Sequence, residues 1–243
     1  MPAGHIAEQF AGLGYDALAL YYFGGEDLPK LRAQVPMEFV DNAISYLKKY
    51  DNGRIKKIST YGISLGSILA LMSGVIFKEI TCVIAVSPAH VVTEGFLSRV
   101  KMTGNSFLTY QGKDIPYLPL PSDMKMYEIF QSAYKDTARG NIPVEQIQGR
   151  ILFIASQMDE SWPAAYSTKM MESRLVKNQF LYPHKSLVFE KSGHLVGIVP
   201  DTKKHRLIPL ILLTFRQERR HPKECRMARE KAESEIVRWL EEW

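Results

Sequence analysis

Residues Lys56 to Gly74 read KKISTYGISLGSILALMSG. A β-branched, apolar run over Ile55 to Tyr61 enters the pentapeptide Gly62-Ile63-Ser64-Leu65-Gly66, and the small and apolar residues beyond it, Leu65 to Gly74, suit a buried helix. Strand, glycine-flanked serine and helix in that order predict a nucleophile elbow. Gly62 and Gly66 lack side chains where such a turn crowds its own backbone, and Ser64 stands at the apex. There the N–H of Leu65, at the start of the helix, faces a developing oxyanion. The competing reading is that Ser64 only caps the helix.

A serine hydroxyl needs a base, and the base needs a carboxylate to orient it. Both follow Ser64 in the chain. Asp159 lies in QMDESWP, just beyond the apolar strand Arg150 to Ser156, and His194 lies in KSGHLVG, just beyond the strand Ser186 to Glu190. Loops at the carboxyl ends of parallel strands gather on one edge of a sheet, so the three residues share an edge. Glu160 is a rival carboxylate. His90, in SPAH after the strand Ile80 to Ser87, is a rival base. His5, His205 and His221 fall in helical or basic surface segments, and His184 follows a turn proline. Gly193 leaves the backbone free to turn the imidazole.

Outward from the elbow, the chain alternates helix and strand, the pattern of a mostly parallel α/β sheet covered on both faces. Helices are predicted over Ile6 to Leu13, Val35 to Tyr50, Ala164 to Val176 and Pro222 to Trp243. The last has an apolar face of Met227, Ala228, Ala232, Ile236, Val237 and Leu240. Tyr15 to Phe23, YDALALYYF, reads as a buried strand. From Ala89 to Asn141 the pattern dissolves into aromatic, Gly and Pro segments with one helix over Met124 to Tyr134. A stretch of that length suits a lid-like insertion over the site.

The 243 residues suit a single domain spanning 1–243, and 46% hydrophobic with 23% charged residues excludes a disordered or fibrous chain. A formal charge of +5 is too small to imply nucleic acid, although Arg216 to Lys231 is locally basic. Arg99, Lys101, Lys113 and Lys125 are either phosphate contacts or merely solvated. Cys82 and Cys225 have no metal-ligand or redox spacing, which fits a reducing cytoplasm, and nothing asks for a metal or cofactor. MPAGHIAEQF is not a signal peptide, and no apolar run reaches membrane-spanning length.

Several segments together carry a resemblance. They are ALALYYFGGEDLP (Ala17 to Pro29), YGISLGS (Tyr61 to Ser67), AVSPAHVV (Ala85 to Val92), TYQGKDIPYLPLP (Thr109 to Pro121), IPVEQIQGRILFIASQMDESWP (Ile142 to Pro163), SGHLVGIVP (Ser192 to Pro200) and the tail from His221. In these the chain resembles the catalytic C-terminal domain of the acyl-CoA thioesterase and bile acid-CoA:amino acid N-acyltransferase family. The resemblance implies an α/β-hydrolase fold, with Ser64 as nucleophile, His194 as base and Asp159 as its orienter, acting on small-molecule acyl thioesters. In that family serine goes with hydrolysis and cysteine with transfer to amino acids. It also implies strands before the first helix, including a central one whose loop gives a second oxyanion N–H; these 243 residues hold no counterpart, and an exposed sheet edge would favour a homo-oligomer. Competing readings are a carboxylesterase or dienelactone-type hydrolase, an N-acyltransferase, and a hydrolase-fold binding protein without turnover.

Overall fold

A computed structural model describes residues 3–50, 52–98, 101–120, 128, 139–197 and 207–243. Its centre is a four-stranded parallel sheet ordered β2-β3-β8-β9, with β2 at Ile58–Ile63, β3 at Ile80–Val86, β8 at Arg150–Ser156 and β9 at His184–Phe189. Parallel neighbours need crossovers, and helices supply them. Helix α3 (Leu65–Ile76) joins β2 to β3, and α4 (Ala164–Lys177) lies between β8 and β9.

The two-residue period of the strands divides the core. Val83, Ala85, Ile151, Phe153 and Ala155 face one side, against α3, α4 and the Val40 and Ile44 face of α2 (Glu38–Tyr50). Cys82, Ile84, Val86, Leu152 and Ile154 face the other, against α7 (Pro222–Glu241) and the partly buried Ile6 and Phe10 of α1 (Ala3–Gly12). Continuous apolar runs are what a strand covered on both faces requires. Helix α7 buries Cys225, Ala228, Ala232, Ile236, Trp239 and Leu240, while Met227 is exposed. The buried stripe is thus rotated from the expected one.

Other expectations are also corrected. Val35–Pro36 form a short strand, β1, and helix α2 begins only at Glu38, because a residue before proline is driven to extended backbone. Among its described residues the region 89–141 is far from irregular. It holds the antiparallel pair β4 (Glu94–Ser98) and β5 (Lys101–Ser106), and β6 (Leu108–Tyr110), which pairs with both β1 and β7 (Lys113–Asp114). Val91, Val92, Phe107, Leu108, Leu118 and Leu120 join the main core. The helix expected over Met124 to Tyr134 lies outside the described residues except for Glu128. Two short helices, α5 (Leu207–Leu212) and α6 (Arg216–Arg220), precede α7, and among the described residues no helix is long and apolar enough to cross a membrane.

Tyr15 to Phe23 is the largest correction, for it forms no strand. An extended apolar segment becomes a strand only by pairing, and no backbone hydrogen bond joins it to the sheet among the described residues. Instead a cleft of about 1490 Å³ separates it from β2, the sheet's edge. Phe10 of α1 and Val40 and Ile44 of α2 reach into the same cleft. Accordingly β2 is only half-buried, whereas β8 is buried throughout. Hydrogen exchange is expected to be slowest at the amides of β3 and β8 and orders of magnitude faster over Ala17 to Tyr22, despite equal apolarity. Equal protection would show that the segment is paired.

Candidate active site

Ser64 sits between β2 and α3 with φ 60° and ψ −125°, a backbone conformation that non-glycine residues avoid. Its N–H donates to Val86 O at 3.0 Å, and its carbonyl accepts from Ser67 N at 2.8 Å and Ser67 Oγ at 2.6 Å. The turn is therefore pinned on both sides. A β-carbon on Gly62 would stand 2.0 Å from Gly66 O, so Gly62 is required by close approach. Gly66 differs: its own β-carbon would meet nothing nearer than Tyr22 Oη, at 3.8 Å. It is the carbonyl of Gly66, not an excluded side chain, that crowds the turn. Ser64 makes no side-chain cap to α3, so the capping reading finds no support in the geometry.

Asp159 and His194 are in direct contact. His194 Nδ1 lies 2.9 and 2.8 Å from the two carboxylate oxygens, with both side chains almost wholly buried. A carboxylate only accepts, so Nδ1 carries the proton and Nε2 is left as the basic nitrogen. Asp159 Oδ1 also accepts from Ser161 N at 2.9 Å and Trp162 N at 3.3 Å, so it closes its own turn while holding the imidazole. Glu160 is turned elsewhere: its carboxylate accepts from the backbone of Arg216 and Gln217, anchoring α6. Ser64 and His194 line the same cleft, with no direct hydrogen bond between their side chains. Serine hydroxyl, imidazole and carboxylate in that order are the groups of acyl transfer, whose nucleophile–base contact often tightens only with substrate.

Sequence reasoning missed the supports of the histidine loop. Ser87 Oγ donates to His194 O at 2.6 Å, and Ser156 Oγ donates to Ser192 O at 2.6 Å. Each serine follows or ends an apolar strand, and that position was the available signal. Trp162 packs edge-on against the imidazole at 5.7 Å and donates from Nε1 to Ser87 O, while Phe215 stacks with the imidazole at 6.0 Å. Gly193 has no left-handed backbone. A β-carbon there would meet Gln217 Cβ at 3.3 Å, so packing rather than turning is its role.

His90 is not at the cleft. It is buried, and its Nδ1 lies 3.0 Å from Ser167 Oγ. Burial pushes its pKa down from 6.5 to about 4. Cys82 and Cys225 are both buried, and burial pushes the Cys82 thiol up to about 11. Among the described residues no group of three potential metal ligands occurs. Of the four cations named from sequence, Lys113 is exposed on β7, and the side chains of Arg99, Lys101 and Lys125 lie outside the described residues.

Comparison with known proteins follows this geometry. The signature of the family described as BAAT / Acyl-CoA thioester hydrolase C terminal matches residues 35–202. The chain is 26% identical over 202 residues to acyl-coenzyme A thioesterase 1 of Homo sapiens, a match covering 78% of this chain and 45% of that protein. It is 28% identical to the mitochondrial acyl-coenzyme A thioesterase 2 of Rattus norvegicus (78% and 41%), and 25% identical to the peroxisomal succinyl-coenzyme A thioesterase of Mus musculus (76% and 44%). The chain thus spans less than half the length of these relatives. Among solved structures, the α/β hydrolase GrgF of Penicillium sp. aligns with TM-score 0.48 and 15% identity over 88% of this chain and 84% of that one. The parallel sheet, its helices on both faces and the elbow are those of an α/β-hydrolase fold.

The buried His90 gives a pH signature. Its folded pKa lies below the unfolded value, so between pH 6.5 and about 4 the unfolded chain binds the extra proton. Its contribution is complete above that window and is lost as pH falls through it, at about 1.4 kcal/mol per pH unit. Urea unfolding at several pH values is expected to show a slope shallower by nearly one proton in His90→Gln. An unchanged slope would contradict a buried neutral imidazole.

Proposed function

This chain belongs to the BAAT / acyl-CoA thioester hydrolase C-terminal family, and from that premise we propose that it hydrolyses acyl thioesters, acyl-CoA foremost, through an acyl-enzyme on Ser64. The observation that carries the reading is Ser64 at a strained turn, in one cleft with an imidazole fixed by a buried carboxylate. Similar relatives are thioesterases by name, and Ser64 is a serine, which in the family the chain resembles goes with hydrolysis where cysteine goes with transfer to amino acids.

In the first half-reaction Ser64 Oγ attacks the thioester carbon and its proton passes to His194 Nε2. The carbonyl electron pair moves onto oxygen, which the Leu65 N–H receives. Asp159 holds the tautomer and stabilises the imidazolium. Collapse of the intermediate breaks the carbon–sulfur bond, and the departing thiolate takes the proton from His194. Water, deprotonated by His194, then attacks the acyl-serine; the carbon–Oγ bond breaks, His194 returns the proton to Ser64 Oγ, and the acid is released. Phe96, Met102 and Leu120, from the region between β3 and β8, line the cleft and offer the acyl chain an apolar wall, the role of a lid. Arg216 and Arg219, at the same cleft, supply positive charge for the nucleotide phosphates.

The test is steady-state hydrolysis of acyl-CoA followed by free thiol. Ser64→Ala and His194→Ala are expected to lower kcat on the order of 10³-fold or more, and Asp159→Asn about 10²- to 10⁴-fold, without changing the unfolding temperature by more than a few degrees. Full activity in Ser64→Ala would refute the mechanism. Cleavage of oxygen esters with none of thioesters would move the assignment to a carboxylesterase.

A further inference from the structure

Ser64 and His194 line one cleft with no direct hydrogen bond between their side chains, so the backbone behind them sets their spacing. The two meet at the end of β3. Val86 O accepts the Ser64 N–H at 3.0 Å, and the hydroxyl of the next residue, Ser87, donates to His194 O at 2.6 Å. Two hydrogen bonds and the Val86–Ser87 link thus join the backbone of the nucleophile to that of the base. The other polar groups of Ser87 are engaged as well. Its N–H donates to Ile154 O at 2.7 Å, and its carbonyl accepts from Trp162 Nε1 at 2.9 Å. Trp162 in turn packs on the His194 ring at 5.7 Å. Ser87 is also strained: its φ is 45°, and the proline that follows, Pro88, drives the residue before it towards extended backbone. Gln34, Asn52, Gln111 and Gln179, which share a left-handed φ, are exposed, whereas Ser87 is wholly buried. Strain of this kind persists only where the surroundings enforce it.

We infer that Ser87 is a positioning residue of the reaction: its hydroxyl, one residue beyond the carbonyl that holds Ser64, sets the distance between Ser64 and His194 over which the proton passes. This rests on the acyl-transfer reading above. Ser87 touches no reacting atom and relays no proton. Its hydrogen stays on His194 O while the Ser64 Oγ proton moves to His194 Nε2. Asp159 cannot do the same work, because it grips the ring at Nδ1 and decides its tautomer and facing, whereas Ser87 decides where the loop that carries the ring stands. Without the hydroxyl, the buried His194 carbonyl loses this donor and the loop shifts to find another, taking the imidazole with it. A displacement of about 1 Å in a catalytic group is enough to cost on the order of 10²-fold in rate.

The experiment compares Ser87→Ala and Ser87→Gly with the unsubstituted chain on palmitoyl-CoA and on p-nitrophenyl butyrate, and in the rate at which a fluorophosphonate labels Ser64. Alanine keeps the β-carbon and the strain, glycine adopts a φ of 45° freely, and neither keeps the hydroxyl. Both are expected to lower kcat about 10- to 100-fold on whichever substrate is turned over, and to slow labelling comparably, with KM moved less than about threefold. The glycine variant is expected to unfold at no lower temperature than the alanine variant while being no more active. Full kcat in Ser87→Gly would show that only the shape of the turn matters and overturns the inference, as does a fall in unfolding temperature in both variants without a fall in kcat. Where either variant fails to fold, Ser87→Cys decides: it keeps the shape with a weaker donor, so an intermediate kcat is expected and an unaltered kcat overturns the inference. An unsubstituted chain that cleaves only the oxygen ester overturns the thioester reading, while the variant ratio on that ester still decides the role of Ser87. A folded chain that neither turns over substrate nor takes the label overturns both.

Discussion

One backbone constraint underlies the site: Ser64 is held at φ 60° because its N–H is committed to Val86 and its carbonyl to Ser67, while Gly62 leaves room for the Gly66 carbonyl. A residue in this region costs on the order of 1–3 kcal/mol and persists only when its surroundings over-determine it. Here the surroundings are the β2–β3 ladder on one side and a buried helix on the other. The gain is position. The hydroxyl is thrust beyond the sheet edge, beside the first turn of α3, where the Leu65 N–H is still uncommitted to the helix.

The remaining groups reach the same place from β8 and β9, the strands beyond β3. Asp159 leaves the end of β8, and His194 follows β9, but its loop is stitched back by Ser87 and Ser156 at the ends of β3 and β8. Trp162 and Phe215 close on the imidazole from two directions, so its ring has little freedom beyond the Asp159 contact. Geometry of this kind depends on the sheet as a rigid frame. At β2 the frame ends, and the cleft beside it is bounded by Tyr15 to Phe23, a segment with a strand's composition and no ladder. Tyr22 of that segment lines the same cleft as Ser64.

What could be read in advance was local. The continuous apolar runs over Ile80 to Val86 and Ile151 to Ala155 had to be doubly covered strands, and Gly-x-Ser-x-Gly between a strand and a helix had to be a tight turn. Chain order and strand ends brought Asp159 and His194 forward, and the structure joins them at 2.8 Å. Pairing between distant segments was not legible. Tyr15 to Phe23 has the pattern of a strand, but no pattern reports whether a neighbour exists. Conversely, the polar Lys101–Ser106 becomes a strand because Glu94–Ser98 lies against it. Serines 87 and 156 looked like strand ends, and their work lies in hydrogen bonds to a loop more than 30 residues away in sequence.

The most direct test of a serine-centred site is intact mass followed by peptide mapping after treatment with a fluorophosphonate. The account predicts a single adduct, located on Ser64 and lost when His194 is replaced by alanine. A folded chain that takes no adduct, or takes one at another residue, would contradict it.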